Sequence, residues 1–230
     1  MWRQLNREQI RVARCTVERL MSQEGLEGIV RGRWKRTTIA PRMPPTSRWI
    51  AFSGASWQPG PTKLWIADFT YVATWAGFVY VAFVIDVFAR RIVGWRVSRS
   101  MHTELVLDAL VQALHARRPS VGLIHHSDHG VQYLSIRYSE RLAENGAEAS
   151  VGSIGDSYDN AMAETIIGLF KAEVIHARRP WRSLDAVEYA VLEWVDWFNH
   201  RRLLETIGHV PPAEFEQAYY RHQSGQAMAA

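Results

Sequence analysis

The stretch Leu64-Trp65-Ile66-Ala67-Asp68-Phe69-Thr70-Tyr71-Val72 decides the fold. It is rich in β-branched and aromatic residues and reads as a strand, with one acid, Asp68, in its middle. A second β-rich run, 78–85, follows through a turn containing Gly77, and a third covers 91–97. Three sequential strands so closely spaced predict an antiparallel meander. Downstream the period changes. Over 102–116, Leu105, Leu107, Ala109, Leu110, Ala113 and Leu114 recur at helical spacing. A short buried strand is expected at 121–124, a helix at 134–145 stopped by Asn145-Gly146, and a last strand at 148–151. Helices are expected at 158–176 and at 183–200, the latter with Ser183 as N-cap and Leu184, Val187, Val191, Trp194, Val195 and Phe198 inward. The order β-β-β-α-β-α-β-α predicts an α/β fold, a mixed five-stranded sheet flanked by helices.

Upstream of this core the texture differs. Residues 2–22 read as two short helices with a break near Glu8-Gln9. Arg3, Arg7, Arg11, Arg14 and Arg19 crowd their polar positions. A helix-turn-helix would turn Arg14, Thr16 and Arg19 toward phosphate or bases; a solvated helical pair fits the same pattern. Arg31, Arg33, Lys35 and Arg36 surround Trp34, a basic run around an aromatic of the kind that tracks a nucleic-acid backbone or serves as a plain linker. Residues 37–62 hold Pro41, Pro44, Pro45, Pro59 and Pro61 without periodicity and read as a linker.

Charge follows the same division. Residues 1–48 carry a balance of +7 and residues 49–230 one of −3, within a net charge of +4. A basic arm on a near-neutral body suggests an anionic partner. Only Lys35, Lys63 and Lys171 are lysines, so nearly every cation is a guanidinium. The single Cys15 excludes a disulfide scaffold and any multi-cysteine zinc site. With no apolar leader and no run long enough to span a bilayer, a soluble, cytoplasmic protein is expected.

Three carboxylates stand out. Asp68 lies within an apolar strand, where an ionised group is costly unless paired; a strand-edge Asp bonded to a turn is the plainer reading of it alone. Asp128 follows strand 121–124 in His125-His126-Ser127-Asp128-His129-Gly130, and ligands of open α/β sheets gather at the carboxyl ends of strands. Glu164 shares a helical face with Ala161, Gly168 and Lys171, where the small residues are expected to let the helix approach the sheet and project Glu164 and Lys171 into one gap. Together the three acids supply oxygen ligands for hard divalent ions, two of which clamp the attacking and leaving oxygens of a phosphoryl transfer. The histidines invite zinc, but no partner cysteine or downstream His motif completes a zinc set. Asp86, at the turn between two strands, reads as structural.

These residues carry a family resemblance. Asp68-Phe69-Thr70-Tyr71, the run 85–95, His126-Ser127-Asp128-His129-Gly130-Val131-Gln132-Tyr133 and Gly155-Asp156-Ser157-Tyr158-Asp159-Asn160-Ala161 together resemble bacterial insertion-sequence transposases. The resemblance is to the group whose second reading frame encodes a retroviral-integrase-like core. That family has an Asp, Asp, Glu triad with 35 residues between the last two, the separation of Asp128 and Glu164 here. Its Lys or Arg seven positions later falls on Lys171. The resemblance covers 63–220 and implies an RNase H-like fold. It also implies Mg²⁺ or Mn²⁺, two ions, held by Asp68, Asp128 and Glu164, and DNA cleavage and strand transfer at element ends. Implied partners are element-end and target DNA, further copies of the chain in a synaptic complex, and a first-reading-frame protein. The implied division is a partial helix-turn-helix-like region at 1–36, a linker at 37–62, the catalytic core at 63–180 and a C-terminal helical extension and tail at 181–230. The sequence departs from the family at His129 and Val131, where Arg and Ser are usual, and at Ala89. Residues 40–60 are unlike the family, as translation out of frame between two compensating indels would make them. Residues 3–36 begin partway through the family's DNA-binding region. A truncated, inactive DNA-binding remnant is the alternative that these departures raise.

Overall fold

The structure, a computed structural model, describes residues 1–29, 60–119, 122–127, 135–151 and 157–227. Most of the expected 37–62 linker, and with it Arg31, Arg33, Lys35 and Arg36, lies outside the described residues.

The meander forms as its composition requires. Strands β1 (Leu64–Thr74), β2 (Gly77–Asp86) and β3 (Arg91–Ser98) pair antiparallel, and β4 (Leu123–Ser127) and β5 (Ala147–Val151) add in parallel on the other side of β1. The sheet order is β3-β2-β1-β4-β5, so β1 is central. This is the mixed, helix-flanked sheet of the RNase H-like fold.

Because side chains alternate across a strand, the sheet builds two cores. On one face Ile66, Val72, Phe83 and Ile85 pack against helices α5 (Ser157–Phe170) and α6 (Leu184–His200). There Phe83 meets Phe170 edge-on with ring centroids 5.3 Å apart and Trp194 at 6.0 Å. On the other face Trp65, Ala82, Val84 and Val93 pack against α3 (Thr103–Arg117) and α4 (Ile136–Glu144). Helix α3 comes so close to β3 that a Cβ on Gly94 would lie 2.2 Å from the carbonyl oxygen of Ala109. Two Ser caps act as their positions suggest: Ser135 and Ser183 accept from the N–H groups of Tyr138 and Ala186.

The expected N-terminal pair is present as two helices, α1 (Trp2–Arg7) and α2 (Arg14–Gln23), with the break at Gln9 in the left-handed region. The C-terminal extension ends in a helix, Pro212–Ala227, which docks on the core. Its buried Glu216 accepts from Arg91 at 2.6 Å and from Arg117, while Phe215 and Tyr219 pack on Phe88. From α6, Asn199 exchanges two hydrogen bonds with the backbone of Ile92, at 2.8 and 3.0 Å. Arg7 reaches Glu214, tying the N-terminal helix to the same extension.

Candidate active site

The parallel pairing of β1 and β4 runs from Leu64↔Ile124 to Ala67↔Ser127. Strand β4 therefore ends opposite the residue before Asp68. From Asp68 to Ala73, β1 is paired on its β2 side only among the described residues, before Thr74 bridges to Trp181, which leaves an open edge there in the middle of the sheet. Such a crevice at the carboxyl end of a parallel strand is where α/β sheets receive ligands. Asp68 is half-buried at this point, paired across the sheet with Phe83, and its Oδ1 accepts from the Phe69 N–H at 2.7 Å. Asp128 itself lies outside the described residues.

Helix α5, which carries Glu164, packs against β1, the strand that carries Asp68. The helical face differs from the one expected. Ala163, Ile166, Ile167 and Phe170 are buried, whereas Ala161 and Glu164 are exposed and Gly168 and Lys171 half-buried. Four apolar residues at i, i+3, i+4 and i+7 outweigh the small residues in choosing the inward face. Glu164 thus stands at the helix's outer side, and no cation pairs with it among the described residues. Lys171 opens a π-helical turn, Lys171–Ile175, and its Nζ lies 5.6 Å from the ring centroid of Tyr71 on β1. Tyr71 belongs to the Asp68-Phe69-Thr70-Tyr71 motif but is not among the candidate site residues that the sequence singles out. The available signal is alternation: a strand that buries Thr70 and Val72 must present Tyr71 outward.

His125 and His126 lie inside β4 rather than in the expected polar turn, and His129 lies outside the described residues. Flanked by β1 and β5, this strand is buried on both faces, so each ring finds an internal partner. His125 shares a 3.2 Å hydrogen bond with the Tyr138 hydroxyl, and His126 one of 3.3 Å with Ser150. Burial pushes the His125 imidazolium down to about 4 and the Tyr138 phenol upward, so both are neutral at pH 7. Among the described residues, no group of three His, Cys, Asp or Glu side chains is placed to hold a metal.

Other acids of the core are already engaged. Asp86 accepts from the N–H groups of Thr62 at 2.7 Å and Phe88 at 3.0 Å, with Arg117 at 3.9 Å, and burial raises its pKa. It is structural, as expected. Glu173 accepts from Arg202 and from the Trp194 indole. On the second N-terminal helix, Arg14 donates to Glu18 at 2.7 Å and Arg19 to Gln23 at 3.4 Å, both on its solvent face.

Comparison with known proteins agrees with this architecture. The family model "Integrase core domain" matches residues 58–157, a second of that description matches 145–212, and "HTH-like domain" matches 1–34. The transposase for insertion sequence element IS629 of Shigella sonnei is 59% identical over 230 residues, all of this chain and 76% of that protein. The chain belongs to the insertion-sequence transposases. The putative transposase for insertion sequence element IS986/IS6110 of Mycobacterium tuberculosis is 55% identical over 99% of this chain and 83% of its own length. Among solved structures, the HTLV-2 integrase catalytic core domain in complex with magnesium matches with a TM-score of 0.52 at 13% identity, covering 68% of this chain and 97% of that one. That likeness shows the fold. The transposase family places this chain in DNA transposition and integration, within a class of polynucleotidyl transferases. No helix among its described residues is long and apolar enough to cross a membrane.

Proposed function

We propose that this transposase cuts and rejoins DNA at element ends with Asp68, Asp128 and Glu164 as its catalytic carboxylates, holding two Mg²⁺ or Mn²⁺ ions. The observation that carries the reading is the β1–β4 register. Ala67 pairs with Ser127, the residues that precede Asp68 and Asp128 in the sequence, and α5, the helix that carries Glu164, packs against β1. The donor set fits a hard divalent ion: carboxylate oxygens alone, with Glu164 unclaimed by any cation among the described residues, unlike Glu173 and Glu216. Magnesium in the complex of the distantly similar integrase core is consistent with that choice. Bound ions supply the Lewis acidity and charge neutralisation for attack of water, then of a 3′-hydroxyl, on a phosphodiester.

The chain's own contribution is positioning. The Phe69 N–H fixes one oxygen of Asp68, and the central strand beneath it is rigidly packed. Lys171 offers a cation to a phosphate beside the crevice. Arg14 and Arg19, with Arg31, Arg33, Lys35 and Arg36, add backbone contacts from the N-terminal region. Joining two ends in one complex calls for at least two copies of the chain. The test is strand cleavage and transfer on element-end DNA with Mg²⁺, run beside a gel shift. Asp68→Asn, Asp128→Asn and Glu164→Gln each bring the reaction to background while leaving DNA binding in place. Activity persisting in the Asp128→Asn protein would sink the assignment.

A further inference from the structure

The tip of the β1–β2 hairpin carries large aromatic rings in water. Tyr71 is 60% exposed, Trp75 69% and Phe78 57%, and Tyr71 and Phe78 meet edge-to-face with centroids 5.4 Å apart. Exposed rings gathered in one place mark a binding surface rather than scattered surface apolarity. Two cations lie over them: Lys171 at 5.6 Å from the Tyr71 centroid and the Arg182 guanidinium at 5.3 Å from that of Trp75. Neither cation is in an ion pair among the described residues, in contrast to Arg91, Arg117 and Arg202.

The hairpin tip is held rigidly. The Trp75 N–H donates to the Trp181 carbonyl at 3.0 Å, and Thr74 forms a β-bridge with Trp181, which is itself buried. Within the turn, the Thr74 hydroxyl donates to the Gly77 carbonyl at 2.7 Å and accepts from the Ala76 N–H. Rigid rings lose little entropy on stacking.

Strand β1 joins this patch to the candidate active site. Tyr71 is three residues past Asp68, about 10 Å along the strand, on the opposite sheet face, and Lys171 reaches Tyr71 from the element that follows α5. Flat rings flanked by unpaired cations fit unpaired nucleobases on a phosphate backbone: stacking is indifferent to sequence, and the cations answer the phosphates.

We infer that Tyr71, Trp75 and Phe78 form a stacking platform for unpaired bases of the DNA strand whose phosphate lies at Asp68, with Lys171 and Arg182 holding its backbone. The inference rests on the proposed role of Asp68. Platform and cations hold a frayed strand end away from its complement while the neighbouring phosphate sits in the crevice.

The test is binding of the full chain, without divalent ions, to a single strand of about ten nucleotides carrying the fluorescent base 2-aminopurine, and to a blunt duplex of the same sequence. Tyr71→Ala and Trp75→Ala each weaken single-strand binding about 5- to 150-fold and remove the 2-aminopurine quenching that stacking causes. Duplex binding changes far less, and Tyr71→Phe retains both affinity and quenching. Equal losses on strand and duplex, or no loss, would overturn the platform. So would sedimentation showing that the Ala variants dissociate a dimer of the wild-type chain, which would make the patch a contact between copies. With no metal present, the outcome is independent of the carboxylate triad, whose failure would show instead as cleavage by Asp68→Asn.

Discussion

His125 makes folding stability sensitive to mild acid. It occupies the middle of β4, paired with Trp65 on one side and Ala149 on the other, fully enclosed, with the Tyr138 ring edge-on at 5.6 Å. The folded chain takes up its proton only near pH 4, against 6.5 for an ordinary imidazole, because burial disfavours the cation. Between these values the unfolded chain binds the proton and the folded chain does not. Stability is therefore intact above pH 6.5 and is lost as pH falls toward 4. The interval of 6.5 to about 4 corresponds to about 3 kcal/mol, a sizeable part of the ~5–15 kcal/mol that holds a domain folded.

The measurement is urea unfolding at a series of pH values, comparing the wild type with His125→Gln. Carboxylates contribute to acid loss in both proteins, so the difference between the two curves isolates the imidazole. That difference shifts by about 3 kcal/mol between pH 7 and pH 4, whatever constant offset the substitution adds. A difference curve flat to within about 1 kcal/mol would refute the reasoning, as would an NMR titration of the wild type placing the His125 midpoint near 6.5. The consequence reaches the site, because β4 is the strand whose register with β1 brings Ser127 opposite Ala67.

Gly94→Ala forces α3 off β3, since the new Cβ would press on the Ala109 carbonyl at 2.2 Å. An overpacking cost of about 1–3 kcal/mol, read as a lower urea midpoint, is expected, and an unchanged midpoint would refute the close approach. Glu216→Gln leaves the half-buried Arg91 and Arg117 without their closest carboxylate, Arg117 keeping Asp86 at 3.9 Å. A loss of about 3–5 kcal/mol is expected, with protease cleavage near residue 212 preceding cleavage of the core, and equal protease resistance to the wild type would contradict it.

Strands and helices were legible where one periodicity ruled. The meander followed from three β-rich runs, and α6 from a face of Val187, Val191, Trp194 and Phe198 that the structure buries as expected. Reading failed where the burial of a polar residue depends on distant partners. His125 and His126 look like a loop until β1 and β5 close on either side and Tyr138 and Ser150 supply hydrogen bonds. The inward face of α5 was misread for a related reason. Small residues matter only where a helix touches the sheet, and Ile166, Ile167 and Phe170 decide where that is. The triad rests on the family resemblance, since 35 residues between Asp128 and Glu164 say nothing about their separation in space.

Charge composition misleads for a reason visible in the core. The body's balance of −3 counts acids and bases as though all faced solvent. The structure pairs Glu216 with Arg91 and Arg117, and Glu173 with Arg202, and buries both carboxylates largely or wholly. Those groups cancel locally, and their fields hardly reach a DNA phosphate beyond the ~8–10 Å over which salt screens charge. Outside those pairs stand Glu164, an acid with no ion pair among the described residues, and Lys171 and Arg182, cations lying over rings rather than against carboxylates. A body that is acidic on paper thus exposes unpaired cations over an aromatic ledge. On the proposed assignment, ions held by the carboxylates would offset their repulsion of a phosphate, so the affinities for DNA and for divalent ions are expected to rise together.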